Sequence, residues 1–416
     1  MFKHPDTAAT FPNKTDGKPE KRRQCTRCGA CMTQCKFLEK YGPPGDLSES
    51  YARNPEPLHS LAFECSLCGL CSAICPHGIN PCAMLHQWRK DAVSSGNLEL
   101  SPYKTILRYE KIGSSKPFSF YSLPKNCNTV FFPGCTLAGT RPGITLSAFE
   151  YLKSVKPETG IVLDCCTKPS HDLGRMDFFS TMFNQMIRFL ENNGVETVIT
   201  ACPSCHNVFK THSGLKAESI YQVMAADRDF SPQNCGEISK SQNTTILVQD
   251  PCQARYDTVT QDAVRVLARR YGLDDKPSQS SRTRTLCCGE GASAGCVNPG
   301  MASAWKNKRV QSASGHTALT YCAGCVNKLS GSSSSFHVLD LIFGKSNPLS
   351  GKADISRAPL TYINRLKLKQ TIKRDKAHTT WQRPFYNGNG TNRFFKSILK
   401  IGSVVAALFA FQGLFR

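Results

Sequence analysis

The chain has 416 residues, with 52 Lys+Arg against 31 Asp+Glu, a formal charge of +21, 40% hydrophobic residues and 22 cysteines. That length holds two or three domains with buried cores, and the apolar fraction is that of globular proteins, which excludes a wholly disordered chain. A small disulfide-stapled secreted domain is not expected, given the length and a polar start that runs into a basic stretch at residues 18–23 instead of a signal-peptide pattern. A reducing compartment is expected, where many thiols mean metal ligation or redox chemistry.

In chain order, residues 1–20 read as a polar arm, 21–82 as a small cysteine-rich helical module and 83–127 as a helical linker. The module carries Cys25-x2-Cys28-x2-Cys31-x3-Cys35 and Cys65-x2-Cys68-x2-Cys71-x3-Cys75-Pro76. Two-residue gaps let a tightly turning backbone place three thiolates on one iron–sulfur cube, and the fourth Cys starts a helix and points to the other cube. Two [4Fe-4S] cubanes are therefore expected, one on Cys25, Cys28, Cys31 and Cys75, the other on Cys65, Cys68, Cys71 and Cys35. Gly29 and Gly69, after the second Cys of each run, suit a close backbone approach or a positive φ. A pair of zinc knuckles competes, but zinc takes four ligands and favours two separated pairs. The module resembles a bacterial-type two-cluster ferredoxin, with Lys36 in place of the proline that usually follows the fourth Cys.

Residues 128–235 and 236–345 form a duplicated unit. The first copy has Cys135, the pair Cys165-Cys166, and Cys202-x2-Cys205; the second has Cys252, Cys287-Cys288 and Cys322-x2-Cys325. Matching cysteines are offset by 117, 122, 122, 120 and 120 residues, a regularity that incidental buried cysteines have no reason to show. Short apolar runs at 129–132, 161–163, 197–199 and 245–248 read as buried parallel strands. Helical patterns at 145–155, 178–192 and 262–271 lie between them, with Phe183, Met186, Ile187 and Leu190 on one face. Strand, Cys-bearing turn and helix in alternation predict an α/β fold with the five thiols of each copy in one crevice outside the strand carboxyl ends. Cys82, Cys127, Cys235 and Cys296 stand outside the groups and are expected to be small buried hydrophobes.

Five ligands that include an adjacent Cys-Cys pair are an odd number for a cubane or a zinc ion. The pattern of Cys, Cys-Cys and C-x2-C resembles the CCG-domain family, found in the B-type and D-type subunits of heterodisulfide reductase. That family also includes iron–sulfur subunits of glycolate and glycerol-3-phosphate dehydrogenases. A ferredoxin module followed by two copies is most similar to the D-type subunit, over roughly residues 20–345. The resemblance implies up to two non-cubane [4Fe-4S] clusters, one on Cys135, Cys165, Cys166, Cys202 and Cys205, the other on Cys252, Cys287, Cys288, Cys322 and Cys325. In the family such clusters split a disulfide, so these ten cysteines are implied to hold the substrate-reducing centres. Three positions depart from the pattern: Thr167 where copy two has Gly289, Ala323 where copy one has Pro203, and Gln253 where relatives often carry His. His171 and His206 are candidate proton donors, each read first as an ordinary hydrogen-bonding histidine, and Lys168 is a weaker candidate.

Residues 346–396 read as a basic linker and 397–416 as a membrane-associated apolar helix. From residue 351 onward there are 13 Lys+Arg and only Asp354 and Asp375, so the tail carries +11 of the charge. Eighteen helical residues, 398–415, span about 27 Å against about 30 Å of hydrocarbon. The segment could cross or lie on a membrane with anionic lipid as the partner of its basic flank, dock on a partner's helix, or pack as a core helix. The charge flank predicts the cytoplasmic face of the inner membrane, C-terminally anchored. No recognised nucleic-acid module is present, and no G-x-G-x-x-G follows a strand, so neither nucleic acid nor a flavin or NAD in this chain is expected. The expected activity is an oxidoreductase that relays electrons between a membrane or quinone-linked subunit, such as a b-type cytochrome, or a flavoprotein, and a thiol/disulfide substrate. A non-catalytic electron-transfer subunit of a flavin-dependent dehydrogenase of hydroxy acids or glycerol phosphate is the alternative. A membrane-bound scaffold with structural clusters is a third.

Overall fold

The structure is a computed structural model that describes residues 24–96, 99–230, 244–344, 349, 355–373 and 379–383. Its N-terminal module is built from short helices, Lys36–Tyr41, Pro44–Arg53, Glu56–Ala62 and Leu70–Ala73, leading into Pro81–Ser94. Proline opens several of them at positions where its missing N–H has no helical partner to lose. The two fourth cysteines behave differently. Cys35 is the N-cap of Lys36–Tyr41. Cys75 starts no helix, contrary to expectation: Pro76 and Gly78, at φ 67°, turn the chain first. The next helix then waits for the Asn80 cap, whose side chain accepts from Ala83 N at 3.1 Å.

Two sheets follow. One contains β1 (Phe120–Leu123), β2 (Thr129–Phe132), β3 (Thr159–Leu163), β4 (Thr197–Thr200), β5 (Lys216–Ser219) and β10 (Thr379–Trp381), in the order β10-β1-β3-β2-β4-β5. The other contains β6 (Thr244–Gln249), β7 (Leu273–Asp275), β8 (Ala318–Thr320) and β9 (Ser335–His337), in the order β7-β6-β8-β9. β3-β2-β4-β5 and β7-β6-β8-β9 are parallel throughout and share one strand order. The duplication seen in the cysteines is thus a duplication of topology.

The linkers are more than connections. β1, within the expected helical linker, pairs antiparallel with β3, and β10, within the expected basic linker, pairs antiparallel with β1. Neither has the alternation that marks a strand in sequence; each is a strand because the edge of β3, and then of β1, offers it a ladder. The helix Leu360–Lys373 packs on Cys135–Thr140. Its basic residues act locally: Lys369 Nζ donates to the carbonyls of Lys116, Pro117 and Ser119 at 3.0, 2.7 and 3.1 Å. Arg383 Nε donates to buried Asp164 at 2.7 Å. The expected apolar helix at 397–416 lies outside the described residues. Among the described residues no helix is long and apolar enough to cross a membrane.

The two copies share one core. Phe131, Ile161, Ile199 and Tyr221 of copy one join Ile246, Val264, Leu319 and Phe336 of copy two in a single buried cluster. Across it runs a buried ion pair, Arg141 Nε to Asp340 Oδ1 at 2.6 Å and Nη2 to Oδ2 at 3.1 Å. Arg141→Met leaves Asp340 buried without its cation and should cost about 3–5 kcal/mol. Denaturant titration of the full chain should show a lowered midpoint, with partial recovery in the double variant Arg141→Met, Asp340→Leu.

Candidate metal centres

The exchange of fourth cysteines is visible in the module. Cys25, Cys28, Cys31 and Cys75 line one pocket. Cys35 lies instead among Cys65, Cys68 and Cys71. Both loops turn the same way: Arg27 and Gly29 stand at φ 58° and 77°, and Leu67 and Gly69 at φ 45° and 72°. Only the first group reaches the surface, through exposed Cys28, whereas Cys35, Cys65, Cys68 and Cys71 are buried. Burial pushes Cys31 up to about 11 and Cys65 up to about 12, and raises Cys35 and Cys71 as well. Four desolvated thiols favour the neutral form, so a cationic metal core is what would hold them as thiolates.

The five-thiol sets gather at the carboxyl ends of β2, β3 and β4 in copy one and beside those of β6 and β8 in copy two. In copy one, Cys166 and Cys205 Sγ lie 3.4 Å apart, with Cys135 beside Cys165 and Cys202 beside Cys205. In copy two, Cys288 and Cys325 Sγ lie 3.4 Å apart, Cys287 touches Cys252 and Cys288, and Cys325 touches Cys322. The burial pattern repeats too, with Cys135, Cys202, Cys252 and Cys322 half-buried and the other six fully buried. Hydrogen bonds between sulfurs pull Cys135, Cys202 and Cys288 down and push Cys165, Cys205, Cys287 and Cys325 up. Each set thus shares protons among thiols that one metal centre could replace.

The three departures from the repeat leave this geometry in place. Thr167 adopts φ 54°, the left-handed turn that Gly289 takes at φ 88°. Pro203 and Ala323 both occupy the first turn of a helix, where a proline N–H is not needed. Gln253 accepts from Asn207 Nδ2 at 3.2 Å and so ties the two copies together.

Three buried arginine nitrogens without a hydrogen-bond partner among the described residues, Arg365 Nη1, Arg383 Nη2 and Arg309 Nη2, belong to side chains close in charge to these sets. Arg365 is near Cys135, Arg383 near Cys165, and Arg309 near Cys325 and Cys288. Orphaned donors beside clustered thiols fit a sulfur-rich anionic group, whose sulfurs would accept from them. The ferredoxin thiols meet copy two directly, because Cys68 and Cys287 pack in one buried cluster.

Of the candidate proton donors, His206 faces the sulfur chemistry. It lines a narrow cleft with Cys202, Gln253, Asp257 and Tyr321. Its Nδ1 lies 3.1 Å from Thr200 Oγ1 and its Nε2 3.5 Å from Asp257 Oδ2. Burial lowers its pKa below the ordinary histidine value. His171 lies elsewhere, packed against His86, Phe179 and His212 with Nδ1 on Asp172 at 3.1 Å, and Lys168 pairs with the same carboxylate. Of the cysteines outside the groups, Cys127 is buried and donates to Thr129 O at 3.2 Å. Cys296 is exposed, which corrects the expectation of burial, and Cys235 lies outside the described residues. Cys82 is a ninth thiol against Cys65, Cys68 and Cys71, pushed up to about 12 by burial. Sequence spacing did not single it out, because it belongs to the next helix and reaches the group only through the fold.

Comparison with known proteins agrees with this arrangement. Residues 21–79 match the 4Fe-4S dicluster domain family, and residues 129–210 match the cysteine-rich CCG domain family. The chain is 21% identical over 341 residues to the D-type subunit of dihydromethanophenazine:CoB–CoM heterodisulfide reductase from Methanosarcina barkeri, covering 70% of this chain and 83% of that one. It is 22% identical over 273 residues to an uncharacterized iron–sulfur protein of Methanococcus maripaludis, covering 57% of this chain and 52% of the other. Among solved structures, the aspartate racemase of Picrophilus torridus aligns at 14% identity over 57% of this chain and 98% of its own, with a TM-score of 0.26, too low to bear on the site. The chain is an iron–sulfur protein with a dicluster domain and a CCG domain, similar to the D-type subunit of heterodisulfide reductase.

The glycine of copy one that packs directly on its thiol set is Gly134, at φ +84°. A Cβ there would lie 3.1 Å from Cys202 Cβ and 3.3 Å from Cys205 Sγ. Gly134→Ala combines about 1–3 kcal/mol of backbone strain with a displaced thiol. Iron per chain should fall by the share of one centre, with the ferredoxin signals unchanged.

Proposed function

We propose that the chain is an iron–sulfur oxidoreductase of the heterodisulfide reductase type, which exchanges electrons between a membrane or quinone-linked partner and a disulfide. The observation that carries this reading is the Cys68–Cys287 contact, which sets the inner ferredoxin thiols against a five-thiol set. Exposed Cys28 marks the outer end of that line and suits electron entry from a partner. Bound clusters would supply one-electron carriage and an iron able to hold sulfur.

The protein's own side chains do the rest. Cys202, Pro203 and His206 of copy one face Gln253, Ala254 and Asp257 of copy two across one narrow cleft, so a disulfide entering between them would meet both repeats. Its reduction consumes two electrons and two protons and yields two thiols. His206 Nε2, which faces Asp257 across the cleft, is placed to pass a proton to a departing thiolate, with Thr200 on Nδ1 holding the ring and Asp257 favouring the recharged imidazolium. Apolar walls such as Tyr321 and Ala254 limit water in the cleft. The basic tail and the apolar residues 398–415 support attachment at the cytoplasmic membrane face.

Reconstituted protein reduced with a viologen should be reoxidised by a disulfide, and more slowly in the His206→Asn variant, by about 10²–10⁴-fold if proton transfer limits the rate. Reoxidation by none of several disulfides, with all centres reducible, would support a relay-only role beside a flavin-dependent dehydrogenase instead. Deleting residues 398–416 should move the protein to the soluble fraction with iron content retained. A truncated chain that stays with the membrane would point to a second attachment surface.

A further inference from the structure

The helix Leu360–Lys373 belongs to neither repeat, yet it closes the thiol crevice of copy one. Asn364 Nδ2 donates to Gly139 O at 2.9 Å, and Thr361 packs so closely on Gly139 that an added Cβ would lie 3.2 Å from it. This seats Arg365, 2% exposed, behind Cys135. Arg365 Nη2 donates to Gly113 O at 3.0 Å, and the guanidinium lies 5.5 Å from the Phe118 ring centre. Its Nη1 is buried without a hydrogen-bond partner among the described residues.

Arg365 lines a closely packed crevice with Gly134, Cys135, Leu163 and Asp164. Asp164 is already engaged: one oxygen accepts from Cys165 N at 2.7 Å, the other from Arg383 Nε at 2.7 Å and from Tyr121. The remaining polar side chain in that crevice is the Cys135 thiol. A guanidinium with a spare N–H, in a water-poor pocket beside a thiol of the five-membered set, is placed to act on whatever that set holds.

We propose that Arg365 tunes the reduction potential of the copy-one centre, by a fixed positive charge and a hydrogen bond delivered from outside the repeat. This rests on the reading of copy one as an iron–sulfur site. Gaining an electron makes the centre more negative, and a nearby buried cation stabilises that form, so Arg365 raises the potential. Copy two is served differently, by Arg309 from its own helix Pro299–Ser312, which also donates to Ser280 O at 3.1 Å. The potential of copy one therefore depends on docking of the segment that leads into the basic tail.

The test is a potentiometric titration of the full-length, cluster-loaded protein followed by EPR. Arg365→Gln should lower the midpoint of one centre and leave the others in place, with Arg365→Lys shifting it less. Arg309→Gln should shift a different centre. Full iron with an unshifted midpoint in Arg365→Gln, or an equal shift of every centre, would overturn the proposal. If Arg365→Gln loses copy-one iron, Gly113→Ala is the second probe, because its Cβ would lie 2.9 Å from Nη1 and displace the guanidinium without deleting it. The same centre should then shift downward, and an unshifted one again overturns the idea. Wild-type protein whose iron accounts for the other sites but leaves copy one without any would defeat the underlying assignment, a result the iron assay reads separately.

Discussion

Arg89 joins all three parts of the molecule. From the helix Pro81–Ser94 it reaches, fully buried, the carbonyls of Ala62, Phe63 and Cys65 in the ferredoxin module, Asp172 in copy one and Ala292 in copy two. Arginine suits this role because its rigid fork offers five donors at once. A buried guanidinium without a carboxylate is costly, and burial holds its pKa below the ordinary value. Five carbonyl oxygens offset that cost, and each would be orphaned by its loss. Arg255 repeats the device at the next contact, donating to Cys68 O at 3.1 and 2.9 Å and to Thr285 O at 2.9 Å. Together they hold the cysteine loops of the module against the repeats, the arrangement on which any electron path through the chain depends.

The two repeats share a topology and differ in what covers them. A sheet must bury both faces, and each copy solves this with a different partner. Copy two is covered by the module: Leu67, Leu85 and Trp88 form one core with Leu286, Met301 and Trp305. The fit leaves little room, since a Cβ on Gly291 would lie 2.4 Å from Ser66 O. Copy one is extended by β1 and β10 and closed by Leu360–Lys373. Two thiol sets equal in sequence thus sit in unequal surroundings, one beside the module's own cysteines and one beside the arginines of the C-terminal segment. Duplication followed by unequal covering turns a symmetric pair of sites into a sequence of distinct ones.

Burial also separates the four groups by accessibility. Cys28 is exposed while the second ferredoxin group is enclosed, and each five-thiol set presents two half-buried sulfurs above three buried ones. Charge transfer into the module and chemistry at the repeats can therefore occur at different faces. The cleft between the copies draws Cys202, His206 and Asp257 from distant parts of the chain, so neither repeat contains it alone.

How much of this was legible depends on how local each feature is. The cysteine runs, the register of the duplication and the strands β2, β4 and β6 could be read from spacing and apolar patterning, because those signals concern neighbours along the chain. Thr167, which departs from the repeat in sequence, still takes the left-handed turn of Gly289 although its branched side chain disfavours it. Cys82 beside the second ferredoxin group, exposed Cys296, and strands β1 and β10 were decided by packing, because each depends on a surface supplied by residues remote in sequence. The same holds for His206 rather than His171 at the cleft, and for a basic segment that proved to pack against copy one. Composition marks a lysine or arginine as soluble charge; only the fold shows that Lys369, Arg365 and Arg383 spend theirs on buried carbonyls and a carboxylate.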